Sequence, residues 1–130
     1  GASSLSFASQ YWCDQVPEID GSSFYLNTLL KLTDGTPVER PRLHLAMIAI
    51  HTSLRNWQEL KWHIAWAYDE SVSEEYIAEA MSYSMFTGSI PYFIEGCEVW
   101  RTMIASGDVQ ASEAFHLWAT TDQSGPSTVK

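Results

Sequence analysis

Three histidines and a glutamate fall within one stretch of the chain, Pro41 to Gly88, and their types and spacing suit proton transfer. His44, His51 and His63 carry imidazoles, whose ordinary pKa lies near working pH, so each can give or take a proton. Glu59 stands four positions before His63. On a helix that separation makes the two side chains neighbours, and the carboxylate can orient or polarise the imidazole. His63 is then the main general acid/base, with Glu59 as its orienting group. His44 interrupts an apolar run, and it can protonate a carbanion or hold a substrate carboxylate. His51 shares a helical face with His44, seven positions on. It nears a helix end, where a cation is favoured by the dipole, and it is assigned only to substrate binding. Each of these residues has a plain alternative. Glu59 is well placed to cap a helix, and the histidines can be hydrogen-bonded core residues.

Other chemistries find less in the residues. Three histidines and a glutamate are also zinc or iron ligand types, so a metal-dependent enzyme is an alternative. The sequence has no HExxH and no compact ligand spacing, and no metal ligand is assigned. Neither Cys13 nor Cys97 has a histidine close in sequence, and no GxSxG occurs, which leaves nucleophilic catalysis without a motif. No glycine-rich phosphate loop is present, so no nucleotide cofactor, and no cofactor of any kind, is expected.

Composition narrows the class further. The chain has 130 residues, 45% of them apolar and 18% charged, which is the make-up of one globular domain. The net charge of −9 argues against nucleic acid and against an anionic membrane surface as partners. The longest apolar run, Leu45 to Ile50, is far too short to span a membrane. Cys13 and Cys97 make no CxxC; a bridge between them stays open, and they are read first as free thiols of a reducing, cytoplasmic compartment. No basic and apolar leader pattern is read at the N-terminus, and a segment removed upstream stays open. Six Trp and six Tyr are many for so short a chain. Such rings cover a subunit interface or a ligand pocket as readily as they fill a core.

The elements that must position the histidines are helices. Pro41 suits a first turn, and a helix from there is apolar nearly all round apart from His44, so it is expected to be central and to stop near Arg55. Asn56 with Glu59 reads as a capping pair opening the next helix, whose inner face is Leu60, Ile64 and Ala67. Ser71 or Ser73 caps a third, with Ile77, Ala80, Met81, Ser84 and Met85 inward and Gly88 at its end. Pro91 opens a fourth, in which Phe93, Cys97, Trp100 and Ile104 keep a helical period, and Gly107 closes it. Asp108 is expected to cap a fifth, with Ala111, Phe115 and Trp118 on one side. Ahead of these, Phe7, Tyr11, Trp12 and Val16 suggest a turn or two. Ser22 or Ser23 caps a short helix carrying Phe24, Tyr25, Leu26, Leu29 and Leu30, and residues 33–37 form a loop. The whole is an all-α compact bundle of about five to six helices. Residues 1–40 form an N-terminal extension, 41–119 the helical domain, and 120–130 a flexible tail.

Glu59-Leu60-Lys61-Trp62-His63, a short turn, Ser73-Glu74-Glu75 opening a helix to Gly88, and then Pro91 resemble the carboxymuconolactone decarboxylase family, which shares its fold with the alkylhydroperoxidase D proteins. The resemblance covers about residues 40–105. It implies a helical-bundle fold, a homo-oligomer (trimer or hexamer), and a cofactor-independent lyase, a decarboxylase, or isomerase. Its substrate would be a small lactone, enol or polyketide-like acid, with Tyr83, Trp66 and Tyr92 as pocket walls. Secondary metabolism would be one setting for such chemistry. The departures are specific. The positions of the peroxidases' CxxCxxxH cysteines hold Asn56 and Glu59, so thiol peroxidase chemistry is absent. The family's glutamate on the preceding helix falls on His44, which changes the proton-transfer set to two imidazoles and Glu59. A non-catalytic small-molecule-binding or scaffolding oligomer of the same fold is the remaining alternative.

Overall fold

The computed structural model describes residues 21–33 and 38–121. The expectations for residues 1–20, the loop at 34–37 and the tail from 122 lie outside the described residues. The described chain is all-α: α1 (Gly21–Leu32), α2 (Arg40–Leu54), α3 (Trp57–Asp69), α4 (Glu74–Ser82), a single turn α5 (Ser84–Thr87), α6 (Ile90–Ala105) and α7 (Glu113–Thr120). No helix among them is long and apolar enough to cross a membrane.

Local chemistry sets most boundaries. Pro41 sits in the first turn of α2, where its missing N–H costs nothing, and Arg55 ends the helix in the left-handed region at φ 58°. Ser73, Ser89 and Ser112 each accept a backbone N–H in the opening turn of α4, α6 and α7. Two expected boundaries move. The third helix breaks after Ser82 and resumes as α5, and α7 is capped by Ser112 and not by Asp108.

Helix α2 packs against α3, α4, α5 and α6, which makes it the centre of the bundle. It is not buried all round, however. Its inward stripe is His44, Ile48, His51 and Thr52, while Ile50 and Leu54 face outward. The helix therefore buries His44, His51 and Thr52 beside Ile48 and leaves two large apolar residues at the surface, because the histidines find hydrogen-bond partners inside. The hydrophobic core proper is built from Ile48, Leu60, Ile64, Ile77, Met81, Trp100 and Ile104.

Gly88 ends α5 close against the backbone of α2. A Cβ there would stand 2.8 Å from the Ser53 carbonyl oxygen and 3.0 Å from both Ser53 Cα and the Ser84 carbonyl oxygen. All three are backbone atoms and cannot rotate away. Gly88→Ala is expected to destabilise the fold by about 1–3 kcal/mol, the usual cost of overpacking. A lower urea midpoint at unchanged m would register it.

Candidate active site

The local fold brings the three histidines of the sequence reading together on the inner faces of α2 and α3, and adds a tyrosine. The side chain of His44 is fully buried, and its Nδ1 lies 2.9 Å from Nδ1 of His63. The other nitrogen of His63, Nε2, is 2.8 Å from the hydroxyl of Tyr25 on α1. That hydroxyl is also 2.8 Å from Nε2 of His51. Nδ1 of His51 is 3.2 Å from the amide nitrogen of Asn56. The result is one unbroken row: His44, His63, Tyr25, His51, Asn56.

The row has a direction. An amide nitrogen only donates, so Asn56 gives its N–H to His51 Nδ1. A neutral imidazole carries one N–H, so His51 must donate from Nε2 to the Tyr25 oxygen. Tyr25 has one proton and gives it to His63 Nε2. His63 then donates from Nδ1 to His44 Nδ1. The last proton sits on His44 Nε2, a buried atom with no hydrogen-bond partner among the described residues. An orphaned buried donor at the end of a satisfied row invites an acceptor from outside the chain.

Burial holds the row neutral. Desolvation drives the His63 pKa far below the ordinary imidazole value, and the neighbouring His51 and His44 push it the same way. Burial also lowers His44 and His51, opposed at His44 by Glu70 and at His51 by Glu59. Tyr25 is raised well above the ordinary phenol value by burial, with the Glu59 carboxylate adding to it.

Glu59 is buried on α3, and its charge reaches Tyr25 and His51. Asn56 stands at the N-cap position of α3 as expected but makes no side-chain cap, since its amide is turned to His51. Trp66 walls the cluster. It stands edge-on to His63 at 5.1 Å and lies 5.5 Å from His44, and it is stacked with Tyr25 at 6.1 Å.

Two expected pocket walls lie elsewhere. Tyr83 is exposed, donates to Glu79, and lines a groove of about 340 Å³ with Leu45 and Ala46. Tyr92 sits under the Arg55 guanidinium at 5.2 Å. Both follow from helix phase: each ring projects from a stripe that does not face the histidines. The larger groove, about 660 Å³ between α6 and α7, is apolar and lined by Phe93, Cys97, Phe115 and Trp118, with no histidine. Cys97 is a free thiol there, and burial pushes its pKa up to about 11, which leaves it unreactive.

Tyr25 was missed as a functional residue. Its only signal was its place on the inner stripe of a short helix, which is also the signal of an ordinary core aromatic. Among the described residues, no group of three or more His, Cys, Asp or Glu side chains is disposed to hold a metal ion. Comparison of the chain with family models, curated proteins and solved structures finds no match in any of the three.

Proposed function

We propose that this chain is a cofactor-free acid–base enzyme, a lyase or isomerase that moves a proton next to a carbonyl in a small lactone, enol or polyketide-like acid. The observation that carries the reading is the directed row from Asn56 to His44, ending in a buried donor without a hydrogen-bond partner among the described residues.

The row has two neutral states. In the first, His44 Nε2 holds a proton and can protonate a carbanion or an enolate. When that proton leaves, His63 gives its Nδ1 proton to His44, Tyr25 gives its proton to His63, and His51 gives its Nε2 proton to Tyr25. A proton taken up at His51 Nδ1 completes the balance, once the Asn56 amide turns to present its oxygen. In the second state His44 Nε2 carries a lone pair and can accept a proton from carbon. The two states serve as the acid and the base form of one device, with no charge left behind. Proton uptake at His51 that precedes the shift leaves a transient positive charge at that end, and Glu59, whose field acts on His51 and Tyr25, favours this order over one that passes through a negative row.

We further propose the carboxymuconolactone decarboxylase-like bundle for residues 41–119, with 1–40 as an extension and 120–130 as a tail, in a homo-oligomer. Support for the oligomer comes from Ile50, Leu54, Phe86 and Ile90, large apolar side chains left at the surface. The test of activity is deuterium wash-in from heavy water across a panel of small lactones and enol acids, followed by NMR. At least one compound is expected to exchange, and His44→Gln is expected to lower that rate about 10²–10⁴-fold, the usual worth of a general acid/base. Exchange unchanged by His44→Gln would remove the reading.

A second reading has its own observation. The larger groove lies between α6 and α7, away from the row. A non-catalytic small-molecule-binding module would use that groove and keep the histidines as a polar core. It is favoured if ligands perturb Phe115 and Trp118 while no compound of the panel exchanges.

A further inference from the structure

Helices α2 and α3 run antiparallel, and their polar residues pair in rungs. His44 meets His63 at 2.9 Å, and one turn outward Arg40 meets Glu70 at 3.4 Å. Arg40 precedes His44 by four positions, and Glu70 follows His63 by seven, so each pair continues the stripe of the other. Helical side chains lean toward their own N-terminus, which lays the His44 ring over the turn that carries Arg40. Both charges of the outer rung act on that ring. The outer rung is a single contact with Arg40 and Glu70 side chains 50% and 34% exposed, the kind of ion pair that contributes little and opens readily. One turn inward from it, His44 is fully buried, and its Nε2 has no hydrogen-bond partner among the described residues.

We propose that the Arg40–Glu70 pair is a carboxylate-exchange site at the entrance to His44: a short oxo or enol acid places its carboxylate on Arg40 in the place of Glu70 and sets its oxo or enol oxygen against His44 Nε2–H. This deepens the proton-transfer reading by naming the substrate class and the residue that holds it. Residues four apart on a helix have Cβ atoms about 5–6 Å apart, so one molecule of a few carbons can bridge the guanidinium and the imidazole. Arginine suits the task, since its fork accepts a carboxylate through two parallel hydrogen bonds. The overall charge of −9 repels an anion at long range, but at physiological salt the Debye length is about 8 Å, and the local guanidinium governs the last approach.

Malonate is the probe, because it carries two carboxylates at the required spacing and does not react. Titration into the full chain is followed by ¹⁵N-resolved NMR of the histidine rings. Saturable movement of the His44 Nε2 resonance is expected, with at least tenfold weaker binding in Arg40→Gln and several-fold tighter binding in Glu70→Gln. Both residues are at the surface, so both variants should keep the fold. A His44 ring that malonate does not move overturns the proposal, as does equal affinity in Arg40→Gln. Malonate binding as described, with no exchange in any panel compound, would leave the entrance standing and remove the proton-transfer reading. Exchange that depends on His44 but not on Arg40 would do the reverse.

Discussion

Tyr25→Phe should abolish most of the proton exchange while leaving the protein folded. The hydroxyl is the one atom that joins His63 to His51, at 2.8 Å on each side. Its loss removes a single oxygen and keeps the ring that stacks on Trp66. Without it His44 and His63 can still share one proton, but nothing refills them from His51. The expected fall is about 10²–10⁴-fold in deuterium wash-in, the range for losing an acid/base group. Stability should drop by about 1–3 kcal/mol, because buried nitrogens of His63 and His51 lose their partner. Malonate binding at His44 should persist, since the entrance lies on the other side of that ring. An exchange rate equal to that of the unchanged protein would mean that the His44–His63 pair works alone and that Tyr25 is structural.

Period and punctuation carried the secondary structure. Leu60, Ile64 and Ala67 are all fully buried, as their spacing predicts, and Pro41 and Ser73 stand where helix starts need them. What could not be read was the inward turn of a polar stripe. A helix that is apolar nearly all round gives no phase, and α2 took its phase from hydrogen bonds to residues far away in sequence. Ile50 and Leu54 went outward as a consequence. The pairing of His44 with His63 followed from their separate stripes once α2 and α3 were antiparallel. The place of Tyr25 between two imidazoles did not, since it depends on α1 crossing both helices. Tyr83 and Tyr92 stand away from the histidines for the same reason in reverse: chain proximity to the motif says nothing about helix phase.

Acid should unfold this protein earlier than its carboxylates alone would require. In the unfolded chain a histidine takes up a proton as the pH falls through about 6.5. In the folded chain His44, His51 and His63 resist it, because burial lowers all three. Below pH 6.5 the unfolded state therefore binds more protons than the native state, and stability falls as the pH falls. Above pH 6.5 both states hold neutral rings, and this contribution is fully present. Each histidine that stays neutral removes about 1.4 kcal/mol per pH unit, so three together make a slope near 4 kcal/mol per unit at most. Between pH 6.5 and 5 few carboxylates change state, and the slope belongs mainly to imidazoles. Urea titrations at closely spaced pH values across that window would measure it directly. His44→Leu should flatten the slope by about one proton, whatever it does to stability at pH 7. Stability that stays level from pH 7 to 5 would mean that the row accepts protons in the folded state. The two neutral forms required for the relay would then not be the resting ones.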